Sequence, residues 1–102
     1  MKVFMDITLQ LQGVKFEWDA EKYATNLRKH GVKFEDAAQV FFDPLSIYGD
    51  ASIEEEQREY VLGFSYSAKM LFVVFVERGV RTRIISARPA TSQERNDYAE
   101  RN

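Results

Sequence analysis

Cysteine is absent from the 102-residue chain. That excludes disulfides, thiolate catalysis and cysteine-based zinc or iron–sulfur sites. A single histidine leaves a histidine-built metal site with one ligand of that kind, so neither a metal nor a cofactor is expected. Two prolines and five glycines are too few for a linker or a fibrous sequence. Long hydrophobic runs are missing too. The longest, Met70 to Val76, is strand-sized and far short of the roughly 20 residues of a membrane-spanning helix. At the start, Asp6 interrupts the apolar stretch and no small-residue cleavage site follows, so a secretory leader is not expected and the cytoplasm is the expected compartment. No Gly-rich phosphate loop, GxSxG elbow or HExxH helix occurs.

What is present suits one soluble domain. Hydrophobic residues make up 45 % and charged residues 29 %. A chain of this size buries roughly 65 % of its unfolded surface, enough for one modest core. Eight Phe, five Tyr and one Trp supply much of its mass. The formal charge of −2 hides an asymmetry. Residues 43–59 hold Asp43, Asp50, Glu54, Glu55, Glu56 and Glu59 against Arg58 alone, whereas residues 69–88 hold Lys69, Arg78, Arg81, Arg83 and Arg88 against Glu77. The pattern fits two solvated faces of opposite sign, or one anion-binding surface with acid elsewhere.

Periodicity sets out the elements. Ile7, Leu9 and Leu11 alternate with polar residues as in a half-buried strand, and Gly13 turns the chain into a second strand over 14–18 or leaves residues 1–13 as an extension. Asp19 reads as the cap of a helix over 20–30, with Ala20, Tyr23, Ala24 and Leu27 on one stripe and Gly31 past its end. Residues 35–42 read as a second helix stopped by Pro44. Strands follow over 45–48, 58–66, 70–76 and 81–87, with an acidic loop over 49–57 and turns at 67–69 and 77–79. Short turns predict antiparallel neighbours. Residues 70–76, apolar on both faces, belong at the sheet centre, and Tyr60, Phe64 and Phe72 read as core. Thr91-Ser92-Gln93-Glu94 is a capping box opening a last helix to about Arg101. The fold class is α+β, in the order β-α-α-β-β-β-α, with an antiparallel sheet packed by helices.

The chemistry-bearing residues are mostly arginines. Arg81 and Arg83 lie two apart on a strand and share a face, while Arg78 and Arg88 sit at its ends. Guanidinium forks match phosphate oxygens, and several together stabilise the extra charge of a phosphorane without metal. His30 ends the first helix, where the negative pole favours imidazolium and an acid role. Glu77 flanks the cluster as a general base or as an ordinary turn residue paired with Arg78. Tyr98 hydrogen-bonds a phosphate, stacks on a base, or anchors the last helix. Lys22, Lys29 and Lys33 face solvent along the helical hairpin and are placed to steer a polyanion.

Phe16-Glu17-Trp18-Asp19, Lys22, Asn26, Lys29-His30-Gly31-Val32, Phe34-Glu35, Ala37 and Phe42-Asp43-Pro44 together resemble the opening signature of the BrnT toxins. Arg58 before Leu62-Gly63, Glu77-Arg78-Gly79, Arg83-Ile84-Ile85-Ser86-Ala87-Arg88, Ala90-Thr91, Glu94-Arg95 and Tyr98 resemble its closing signature. The likeness runs over residues 16–100, with 14–102 as the toxin-like domain. Ala20 stands where relatives often carry Pro, and Pro89 where many carry a basic residue.

The resemblance implies a RelE-like ribonuclease fold and the toxin half of a bacterial type II toxin–antitoxin pair. It implies metal-independent RNA cleavage, and neutralisation by a BrnA-type antitoxin that alone contacts operator DNA. Arg58, Glu77, Arg83, Arg88 and His30 then fall on catalytic positions, with Arg81, Arg78, Tyr98 and Lys29 as RNA-binding neighbours. Arginines would hold the scissile phosphate, and Glu77 or His30 would take the 2′-hydroxyl proton. Products would be a 2′,3′-cyclic phosphate and a 5′-hydroxyl. The chemistry requires guanidinium groups from separate stretches to meet around one pocket rather than pair off with private carboxylates. The rival expectation is a non-catalytic module, or a degenerate toxin, that binds a protein or nucleic acid through its sheet face and arginines.

Overall fold

The computed structural model describes residues 5–102. Strands β1 (Asp6–Leu11) and β2 (Val14–Asp19) form a hairpin, followed by helices α1 (Ala20–His30) and α2 (Phe34–Gln39) and a 3-10 turn over Val40–Phe42. Strands β3 (Ile47–Asp50), β4 (Glu59–Phe64), β5 (Met70–Arg78) and β6 (Arg81–Pro89) precede α3 (Ser92–Arg101). The six strands make one sheet in the order β1-β2-β6-β5-β4-β3. No helix among the described residues is long and apolar enough to cross a membrane.

Local chemistry sets the helix ends. The Asp19 carboxylate accepts from Lys22 N–H at 2.8 Å, and Gly31 takes φ +69° with its N–H on the Leu27 carbonyl. At α3 the Thr91 hydroxyl and the Glu94 carboxylate cap each other's backbone amides.

One face of the sheet carries α2 and the main core. Phe16, Trp18, Val61, Leu71, Val73, Phe75, Ile84 and Ala87 pack there against Val32, Phe34, Ala37, Ala38 and Val40. Ile7, Leu9 and Leu11 of β1 join from the edge, half-buried. The opposite face is covered at one end by α3, where Tyr98 packs with Ile47, Leu62 and Met70 in a smaller cluster. Among the described residues, no helix covers the rest of it.

Several sequence expectations need adjustment. The sheet is mixed, because β2 runs parallel to β6; the α1–α2 hairpin carries the chain over before the sheet resumes. The expected helix 35–42 tightens into a 3-10 turn at Val40, which brings Phe41 and Phe42 to within 5.2 and 6.2 Å of the Phe16 ring. The strand expected over 45–48 begins at Ile47, because the Asp43 carboxylate and carbonyl hold the N–H groups of Leu45 and Ser46 in a turn. Strand β4 ends at Phe64, where a turn with Ala68 at φ +61° begins. Strand β5 runs through to Arg78 and the turn moves to Gly79-Val80. In the expected aromatic core stripe, Tyr60 and Phe72 stack half-buried at 4.7 Å, whereas Phe64 is exposed and meets the Tyr98 ring edge-on.

Candidate nucleic-acid interface

Arg83 and Arg88 stand five residues apart, so a regular strand would send them to opposite faces. Strand β6 is not regular. Its pairing with β5 passes from Phe75↔Ile84 to Val74↔Ser86 and skips Ile85. That extra residue inverts the alternation. Arg83 therefore shares the open face with its partner Val76, and Arg88 shares it with Phe72. Continuing the β4–β5 register one step past Glu59↔Phe75 sets Arg58 against Val76 on the same face. Arg58, the residue before β4, and Arg83 on β6 thus flank Val76, their backbones about 10 Å apart by strand spacing.

A cleft of about 690 Å³ opens where α1 lies beside this face of β6. Such a volume suits a nucleotide-sized ligand. Helix α1 contributes Lys22, Asn26, Lys29 and His30; β5 contributes Phe72 and Val74; β6 contributes Arg83, Ser86 and Arg88. The side chains of Lys22, Lys29 and His30 make no hydrogen bond or ion pair among the described residues. Asn26 fixes the geometry. It is buried, its Nδ2 donates to the Ala87 carbonyl at 2.8 Å, and its Oδ1 accepts the Ala87 N–H at 3.2 Å.

The arginines do not stand bare. Arg83 donates from Nη1 to Glu17 Oε2 at 2.5 Å and from Nη2 to Asp6 Oδ1 at 3.1 Å. Arg88 forms a bidentate pair with Glu94 at 2.8 and 2.9 Å and lies 4.3 Å over the Phe72 ring. Arg58 pairs with Glu56 at 2.7 Å. These contacts raise the pKa of Arg83, chiefly through Asp6, and of Arg88, chiefly through Glu94. The Arg83 guanidinium holds the Asp6 carboxyl below its ordinary range, and Arg88 does the same for Glu94. The expectation that the cluster is free of private carboxylates is therefore corrected. Glu17, buried on β2, draws Arg83, Arg81 at 3.5 Å and Arg78 at 4.0 Å around itself, because a buried carboxylate must be paired.

Of the residues singled out by sequence, Arg83, Arg88, His30 and Lys29 share the α1–β6 cleft. Arg58 and Glu77 line a second depression of about 440 Å³ with Gly49, Asp50, Phe75 and Val76. The pleat turns Glu77 away from Arg83, and both its oxygens accept from the Thr82 hydroxyl, at 3.1 and 3.2 Å; Thr82, not Arg78, is its partner. Arg78 and Arg81 lie at the Glu17 end, outside the main cleft. Tyr98 is not in the cleft. It is 8 % exposed and donates to Asp43 Oδ2 at 2.8 Å, which anchors α3.

Three supporting residues stand within the signature the sequence shows but were given no role by sequence reasoning. Glu17 carries no local signal of its gathering role. Asn26 gives one faint sign, a polar residue on a helix flank that turns out buried. Asp43 accepts from Leu45 N–H, Phe64 N–H and the Tyr98 hydroxyl. Gly63 makes room for it, since a Cβ there would sit 2.9 Å from Asp43 Oδ2.

Comparison with known proteins agrees with this architecture. Residues 18–94 match the family described as the ribonuclease toxin, BrnT, of type II toxin–antitoxin systems. The fold matches the crystal structure of the Brucella abortus ribonuclease toxin, BrnT, with a TM-score of 0.57 and 26 % identity, covering 74 % of this chain and 94 % of that one. No curated protein matches the chain. The protein belongs to the BrnT family of ribonuclease toxins of type II toxin–antitoxin systems.

Proposed function

We propose that this chain cleaves RNA without a metal on the open sheet face, acting as the toxin of a toxin–antitoxin pair. The observation that carries the reading is the placement of Arg83 and Arg88 of β6, with Arg58 from the start of β4, on one face beside a cleft that also contains His30. Guanidinium groups there compensate the charge that grows on a phosphate as a fifth oxygen approaches it. The nucleophile is the RNA's own 2′-oxygen. His30 is the proton-transfer group within the cleft, and Lys22 and Lys29 draw the strand in. As the 2′-oxygen attacks, the bond to the 5′-oxygen breaks, leaving a 2′,3′-cyclic phosphate and a 5′-hydroxyl. Residues 14–102 form the toxin domain, and residues 1–13 are an extension in which Asp6–Leu11 adds a strand at its edge. The assigned partner is a BrnA-type antitoxin, which alone contacts operator DNA, and the assigned compartment is the bacterial cytoplasm.

A second reading has its own support. Arg58, Arg83 and Arg88 each hold a carboxylate, as expected of a degenerate toxin or a binding module whose arginines serve the fold. One experiment separates the two. Purified protein is incubated with RNA in excess EDTA, and the ends are analysed. Cleavage with cyclic-phosphate ends supports the enzyme; no cleavage and no growth arrest on expression support the binding module.

A further inference from the structure

Arg83 has two carboxylate partners of different character. Glu17 sits on β2 with its side chain 6 % exposed and is also approached by Arg78 and Arg81. It is a fixed counter-ion, and removing it would strand buried positive charge. Asp6 sits on β1 with its side chain 51 % exposed, and among the described residues its one ion pair is with Arg83. An ion pair whose carboxylate stands half in solvent is weakened by water and salt and exchanges readily. Strand β1 also lies outside the stretch that matches the family, which begins at residue 18.

We infer that Glu17 is the positioning residue for Arg83 and that Asp6 occupies the place a substrate phosphate takes on Nη2, so that Asp6 sets the affinity for RNA. The inference rests on the RNA reading above. Register supports the geometry. Asp6 faces Asp19 across the hairpin, Thr8 faces Glu17, and Glu17 faces Arg83 in the parallel pair. These alternate positions share one face, so the Asp6 carboxylate approaches Arg83 from the open side. A phosphate arriving there finds one nitrogen of the fork engaged by Glu17 and the other engaged only by a solvent-exposed carboxylate. Displacing Asp6 costs one weak pair and forms a charge-assisted hydrogen bond to phosphate.

The test uses a single-stranded RNA oligonucleotide with 2′-O-methyl riboses, which binds but cannot be cut through its 2′-oxygen. Dissociation constants are measured by fluorescence anisotropy from 50 to 300 mM salt for the full chain, for Asp6→Asn and for Glu100→Gln. The last is an equal charge change on an exposed position of α3. Asp6→Asn is expected to tighten binding by about three- to tenfold, more than Glu100→Gln. It is also expected to steepen the salt dependence by about 0.7, one further phosphate contact on a single strand. A purely structural role for Asp6 would lower the melting temperature without steepening that slope. Binding unchanged or weakened by Asp6→Asn, in a protein that binds RNA, overturns this inference alone. No binding by any of the three proteins overturns the RNA reading and this inference with it.

Discussion

Asn26 on α1 meets Ala87 on β6 as one strand residue meets another. Its side-chain amide donates to the Ala87 carbonyl and accepts the Ala87 N–H. The helix is thereby tied to the sheet where β2 has ended, and the α1 side chains Lys22, Lys29 and His30 are held across from Arg83 and Arg88. Asn26→Ala leaves two buried backbone groups unpaired. It should cost about 2–3 kcal/mol in urea unfolding and lower the Tm by roughly 10 °C or more. A loss under about 0.5 kcal/mol would show that the amide does not carry this junction.

The skipped residue Ile85 makes a second prediction. Deleting Ile85 restores regular alternation in β6. Arg88 then lies four residues past Arg83 instead of five, so it keeps its place on the open face and Ala87 keeps its place in the core. The variant should unfold cooperatively and retain RNA cleavage. A deletion variant that loses cooperative unfolding or cleavage would contradict this reading of Ile85 as an extra, unpaired residue.

Asp43 governs the acid limb of stability. Burial pushes its carboxyl up, but the N–H groups of Phe64 and Leu45 and the Tyr98 hydroxyl outweigh that and hold it below the ordinary value of 3.8. A folded-state value below the unfolded one gives stability that is fully present above the unfolded value and is lost as the pH falls through the folded one. Urea titrations from pH 7 to pH 2.5 should show a smaller acid loss for Asp43→Asn than for the wild type, from a lower starting stability. Gly63→Ala, whose Cβ would press on Asp43 Oδ2 and on Ser46, should lower stability by about 1–3 kcal/mol. Equal acid slopes for Asp43→Asn and the wild type would contradict this assignment.

The alkaline limb has the opposite sign. Burial, then the Asp43 carboxylate, pushes the Tyr98 hydroxyl up to about 12, and burial with Glu35 does the same to Tyr23. Stability from a raised value is complete below the unfolded value of 10 and is lost as the pH rises toward 12. Tyr98→Phe and Tyr23→Phe should each reduce the stability lost between pH 10 and 12. Unchanged alkaline melting in both would count against these contacts.

Helix positions were legible wherever one residue carries a local instruction. Asp19, Gly31 and the Thr91–Glu94 pair cap their helices through bonds spanning a few residues, and α1 begins and ends where they say. The hairpin at Gly13 and the central place of β5 were legible from alternation and from two-faced apolarity. The parallel β2–β6 pairing joins residues more than sixty apart and leaves no local trace. The bulge was hidden because Ile84 and Ile85 look alike in the sequence. Burial of Glu17 was equally silent, so the sequence could place arginines near one another without revealing the carboxylates they hold. Tyr98 read as both anchor and ligand because its phenol suits either; the buried bond to Asp43 accounts for the anchor.

The most direct measurement of the central claim is single-turnover RNA cleavage in EDTA by Arg58→Ala, Arg83→Ala and Arg88→Ala, each first confirmed to be folded. The account predicts a loss of about 100-fold or more in each variant, with partial recovery of Arg88→Ala on adding free guanidinium. Folded variants that all cut RNA at the wild-type rate would contradict it.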